Sequence, residues 1–120
     1  MDLTEKSFGT FDVVLFLQVL YHLHSPFQAL LNVRRVCTDM MILETMVADV
    51  PESCAMFYGT HRVNLYGKPT PYPNWRPSPL CVEEMLRDAG FSKFKRVWES
   101  EQVHEWPDSP HRRMAWHAWA

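Results

Sequence analysis

The chain has 120 residues, of which 47% are hydrophobic, enough for one compact domain with a single core and too few for two. Its formal net charge of -2 gives no chain-wide cationic field, so a general attraction to nucleic acid or anionic membrane is not implied. The longest apolar stretch, Val13 to Leu20 interrupted by Gln18, is far shorter than the roughly 20 residues of a spanning helix, and no basic-apolar-small leader precedes it.

Met1 to Thr10 is a polar lead-in. From Val13 to Val19 every residue but Gln18 is apolar, the pattern of a parallel strand covered on both faces, and a strand is expected over Phe11 to Val19. Ser25, Pro26 and Gln28 then combine an N-cap hydroxyl, a proline at the first helical position and a capping-box amide. The helix should run to Val36, with Phe27, Leu30, Leu31 and Val33 toward the sheet and Asn32, Arg34 and Arg35 toward water. Met40 to Val47 reads as a second strand, with Glu44 near its carboxyl end.

From Ala48 to Pro77 no period is sustained, and prolines and aromatics accumulate. A loop of that length is more often a lid or binding loop than an idle connector. Ser78 and Pro79 open a second helix whose stripe of Cys81, Val82, Met85, Leu86 and Ala89 ends at Gly90. Phe94 to Trp98 and Met114 to Trp119 read as strands joined without a helix, hence an antiparallel hairpin. The fold class expected is α/β, with about four strands and two main helices.

Cys37, Cys54 and Cys81 are odd in number and contain no CxxC pair, which suits reduced thiols in a cytoplasmic protein and excludes structural zinc. His22 and His24 have no carboxylate at metal-ligand spacing, so no metal is expected. In open α/β sheets ligands gather at the carboxyl ends of parallel strands, which places Gln18 to His22 and Glu44 where a ligand would be met. Each has a plainer reading: Tyr21 as an aromatic packed under the helix, Glu44 as half of an ion pair with a nearby arginine rather than a general base.

The order of elements resembles the C-terminal half of class I S-adenosylmethionine-dependent methyltransferases. The segments FDVVLFLQVLYHLHSPFQAL, MMILETMV, NWRPSPLCVEEMLRDAGF and RRMAWHAWA are similar to successive blocks of the subfamily that includes the tRNA wobble-uridine carboxymethyltransferases. The resemblance implies a Rossmann-like sheet and S-adenosylmethionine, or a carboxylated derivative of it, as cofactor. It places Asp2, Leu17, Tyr21 and Arg113 (with Arg112 the alternative) beside the cofactor, and Asn74 and Trp75 in an acceptor-side loop, where an aromatic face can stack on a base. Gln18 stands where the family has a small residue, and its length would crowd the cofactor.

Neither a Gly-rich turn nor the acidic strand end that holds the ribose is present. The expectation is a half-domain of 1–120, containing the long loop of 48–77, that lacks about three strand-helix units, on the order of 90 residues. Alone it should bind cofactor weakly or not at all and be inactive. The rival expectations are a non-enzymatic homodimer or assembly module formed through the Phe11 to Val19 edge, or a site completed by a complementing N-terminal half on another chain. An RNA acceptor would use a local patch from Arg34, Arg35, Arg112 and Arg113.

Overall fold

A computed structural model describes residues 8–58, 74–102 and 111–120, with the backbone alone for Tyr58 and Asn74. Strand β1 (Phe11–Leu17) leads through a 3-10 turn (Leu20–His22) to helix α1 (Pro26–Val36), which passes without a loop into β2 (Cys37–Ala48). Two short strands, β3 (Ala55–Tyr58) and β4 (Asn74–Pro77), precede helix α2 (Pro79–Ala89), β5 (Lys93–Glu99) and β6 (His111–Trp119). The main sheet has the order β1-β2-β6-β5: β1 and β2 are parallel, and β6 runs antiparallel to both β2 and β5. This is the expected α/β sheet with its antiparallel terminal hairpin.

Boundaries moved where backbone conformation overrode pattern. β1 stops at Leu17, not Val19, because Gln18 adopts a left-handed backbone with φ of 60° that leaves the pleat. β2 starts at Cys37 and β6 at His111, each three residues earlier than their apolar runs, because ladder pairing, of Cys37 with Phe11 and of His111 with Ala48, extends a strand past its hydrophobic core. The segment expected as one loop over 48–77 contains β3 and β4, a separate two-stranded antiparallel sheet.

The core lies on one face of the main sheet. Met41, Leu43 and Val47 of β2 and Met114 and Trp116 of β6 meet Leu30 and Val33 of α1 and Val82 and Leu86 of α2. The two helix starts differ. Ser78 accepts from the Cys81 amide at 3.2 Å as a true cap, whereas Ser25 makes no side-chain cap bond and Gln28 turns to the Asn32 side chain at 3.2 Å. The capping box at α1 is therefore absent, and Asn32, expected in water, is buried, its Oδ1 also accepting from Arg35 at 3.3 Å. Phe27, expected to face the sheet, is exposed.

At the end of α2, Gly90 takes φ of 104°, and the Phe91 and Gly90 amides return to the Leu86 and Arg87 carbonyls, both at 3.1 Å. That is a Schellman stop, and it buries Phe91 as its hydrophobic contact. Arg34, expected on a solvated face, instead donates to the Gly90 carbonyl at 2.9 Å and ties α1 to this turn.

The other face of the main sheet carries no helix from the described residues. Strand alternation sends Val14 and Phe16 toward the core and leaves Phe11, Val13, Leu15 and Leu17 exposed on the opposite side. The apolar run of β1 thus belongs to an edge strand with one open face, not to a strand covered on both.

Candidate functional site

The carboxyl ends of β1 and β2 sit side by side, with Leu17 in register with Glu44. Just beyond, the left-handed turn at Gln18 lets its amide donate to the Glu44 carbonyl at 2.9 Å and folds its side chain across the strand ends. The Gln18 carboxamide donates to Glu44 Oε1 at 2.8 Å and accepts the Tyr21 hydroxyl at 3.2 Å. From β6, Arg113 donates to the same Glu44 oxygen through Nε at 3.1 Å and Nη2 at 2.6 Å. The Arg113 guanidinium also lies 6.0 Å from the centre of the Trp98 ring.

A polar ladder, Tyr21 to Gln18 to Glu44 to Arg113, therefore crosses the sheet at the carboxyl ends of β1 and β2. The left-handed backbone explains why a small residue suits position 18, since a side chain there strains the chain by about 1 to 2 kcal/mol. Here that strain is offset by two side-chain hydrogen bonds that glycine could not make.

Adjacent strand positions point to opposite faces, so the two terminal arginines separate. Arg113, opposite Met46, reaches Glu44; Arg112, opposite Val47, reaches Asp49 at 2.5 Å and Glu99 at 3.5 Å. Of the alternatives weighed from sequence, only Arg113 joins the ladder, and Glu44 takes the ion-pair reading. With Arg113 half exposed and Glu44 18% exposed, the pair stabilises the fold by no more than about 1 kcal/mol, so its placement matters more for ligand charge than for stability.

Tyr21 sits among charges. Burial pushes its hydroxyl above the ordinary value of 10.0, and Glu44 adds to that, while the guanidiniums of Arg113 and Arg76 pull it back. A raised folded value means the neutral phenol stabilises the fold at lower pH and that this contribution is lost as pH rises from 10.0 through the folded value. Arg113→Ala removes a lowering cation and leaves Glu44 uncompensated, so Tyr21 should titrate still higher. Absorbance titration of phenolate, with Tyr21→Phe as the blank, checks the direction; a downward move contradicts the geometry.

The acceptor-side residues lie apart from the ladder. Trp75 donates through Nε1 to the His24 carbonyl at 3.3 Å and packs on Phe57 at 4.8 Å between ring centres. Asn74 pairs with Tyr58 in the backbone of the small sheet, and its side chain, like the whole of Asp2, lies outside what is described. Arg76, buried on β4, has Nη1 3.2 Å from His111 Nδ1, and neither residue was singled out from sequence. Pro77 follows Arg76 and Pro110 precedes His111, so no period marked either one.

A concavity of about 410 Å³ is lined by Phe16, Val19, His22, His24, Gln28 and Asn32 among others. It runs along the flank of α1 and touches neither Tyr21 nor Arg113; the convergence of charged groups, not cavity size, marks the site. Among the described residues no three His, Cys, Asp or Glu side chains converge as metal ligands, no cysteine is in a disulfide, and no helix is long and apolar enough to cross a membrane.

No family model and no curated protein matches the chain. Solved structures do. The N-terminal domain of EvdMO1 with SAH bound superimposes over 100% of this chain at a TM-score of 0.72 and 17% identity. The same domain in the presence of SAH and D-fucose gives the same values, and EvdMO1 itself gives 0.63 at 19% identity over 98% of the chain. The chain has the α/β fold of part of an SAH-binding domain. It spans about half of that domain, 52% and 53% in its two structures, and 23% of EvdMO1.

Proposed function

We propose that the chain is the carboxyl-terminal portion of an S-adenosylmethionine-dependent methyltransferase domain. The observation that carries this reading is the Tyr21-Gln18-Glu44-Arg113 ladder at the carboxyl ends of β1 and β2, on a fold shared with SAH-bound domains. When bound, the cofactor supplies a methyl group on a sulfonium, and catalysis of its transfer rests mainly on proximity and orientation. Leu17 offers an apolar wall and Tyr21 a hydroxyl, which fit the edge of such a cofactor. No Gly-rich turn supplies a backbone cradle, so alone the chain binds weakly and is inactive. The missing cradle comes from a complementing half through the β1 edge, unless the chain instead serves as a non-enzymatic homodimer.

The ordinary sulfonium donor suits this site better than a carboxylated one. Arg113, which the resemblance places beside the cofactor, is already neutralised by Glu44, and the added carboxylate of such a donor would meet like charge there. Trp75, with Asn74 beside it in β4, is the acceptor-side element, and a single-stranded RNA base is the ligand such an aromatic face would take.

Amide NMR of the chain titrated with S-adenosylhomocysteine tests the reading. Dissociation in the millimolar range is expected, with shifts concentrated on Leu17 to His22, Glu44 and Arg113. No shifts at millimolar ligand, or shifts confined elsewhere, would overturn the cofactor site; micromolar affinity would overturn its incompleteness.

A further inference from the structure

The start of α2 brings two cysteines together. Cys54 stands opposite Ser78, one step beyond the Ala55–Pro77 pair of the β3-β4 ladder, with the Ser78 amide donating to the Cys54 carbonyl at 2.7 Å. Opposed residues of an antiparallel ladder carry their side chains on one face, so the Cys54 thiol lies on the side to which the Ser78 side chain turns. That side is the first turn of α2, because the Ser78 hydroxyl accepts from the Cys81 amide at 3.2 Å and from the Cys54 amide at 3.1 Å. One oxygen thus holds both amide nitrogens within about 6 Å of each other. Helical side chains tilt toward the N-terminus of their helix, which tilts Cys81 toward Cys54. Disulfides join Cα atoms about 4.4 to 6.8 Å apart, the range this arrangement brings within reach. Neither thiol is bonded; Cys54 is exposed and Cys81 partly so, whereas Cys37 is buried where α1 meets β2. Burial, then Glu84, then Cys54 itself push the Cys81 thiol above its ordinary value, which makes Cys81 the poorer first nucleophile. The pair is also remote from β1: α2 is held over β5 and β6 by Glu83, which binds Arg96 and Trp116, at the opposite side of the sheet.

We propose that Cys54 and Cys81 form a reversible disulfide, with a small-molecule disulfide of the glutathione type as oxidant, and that this bond fixes the small sheet to α2. Cys54, as thiolate, attacks one sulfur of the oxidant and releases the other half, which takes up a proton. Cys81 then gives up its proton, attacks the Cys54 sulfur and releases the second half. Two protein thiols are oxidised, one disulfide is reduced to two thiols, and those thiols carry off both protons. The bond closes residues 55–80 into a loop that contains β3 and β4, and with them Trp75. Oxidation therefore restrains the acceptor-side element and leaves the Tyr21 to Arg113 ladder outside the loop. The bond does not depend on whether cofactor binds.

Incubating the folded chain with excess oxidised glutathione, then quenching with acid, alkylating the remaining thiols and mapping peptides without reduction, tests it. The expected map has one linked pair, Cys54 to Cys81, with Cys37 alkylated and no glutathione retained, and dithiothreitol should reverse it. In the bridged chain, amide exchange at Met56 and Trp75 should slow by about tenfold, since a closed loop opens less readily. Cys81→Ser should stop the reaction with glutathione on Cys54, the intermediate that the order of steps requires. Should that variant fail to fold by circular dichroism, the wild-type map decides alone. Glutathione retained on wild-type Cys54 without a bridge, a bridge to Cys37, or a Cys54 to Cys81 bridge that forms only in urea overturns the proposal. Unchanged exchange in the bridged chain overturns the restraint on the small sheet.

Discussion

Trp116→Ala is expected to cost about 4 kcal/mol, in the upper range for emptying an aromatic site in a close-packed core. Domains of this size are stable by about 5 to 15 kcal/mol, so the variant should keep only about 1 to 11 kcal/mol and unfold at clearly lower urea than the wild type. Trp116 is fully buried at the centre of the sheet, paired across to Leu43 on β2 and Arg96 on β5. Its indole Nε1 donates to Glu83 Oε2 at 2.9 Å, and the same carboxylate is held by Arg96 at 2.6 and 2.9 Å, which keeps the Glu83 carboxyl below its ordinary range. Removing the ring empties the space between sheet and α2 and takes one donor from Glu83. Trp116→Phe, which keeps most of the volume and loses the donor, should cost about 1 to 2 kcal/mol. Urea midpoints separate the two; equal losses would show that the hydrogen bond, not the ring, holds α2 to the sheet.

Ser78→Ala is the second large effect, about 2 kcal/mol, well above an ordinary exposed cap. The Ser78 hydroxyl is fully buried and accepts twice, from the Cys81 amide of α2 at 3.2 Å and from the Cys54 amide just before β3 at 3.1 Å. The Ser78 amide in turn donates to the Cys54 carbonyl at 2.7 Å. Alanine leaves two amides short of a partner, one at the helix start and one where the small sheet is anchored. The loss should appear both in the urea midpoint and as faster hydrogen exchange at Ala55 and Met56 of β3. Exchange changed only within α2 would mean that the small sheet is anchored elsewhere. Because Trp75 rides on β4, this serine connects core stability to the acceptor side of the proposed site.

Much of the fold was legible locally. The stripe of α2, its Ser78 cap and its Gly90 stop each follow from side chains within one turn of one another, and the structure reproduces all three. The ladder was partly legible: Tyr21 and Glu44 were expected at the carboxyl ends of β1 and β2, and Arg113 by the family resemblance. What joins them is Gln18, whose left-handed backbone no period could reveal, and whose carboxamide spans Tyr21 and Glu44 only after β1 and β2 are paired. The β3 and β4 pair was not legible, because four-residue strands separated by a proline-rich stretch carry no periodicity of their own.

The sequence by itself determined the class of fold, the order of the main elements and the carboxyl-end location of the candidate site, because each rests on apolar period and on residues close in the chain. Only the tertiary structure decided that β1 leaves one face open, that Arg113 and not Arg112 meets Glu44, and that Asn32 is buried. Those outcomes depend on which face a strand or helix turns to its neighbours. A side chain's partner across the sheet is fixed by register, and register is a property of two strands together.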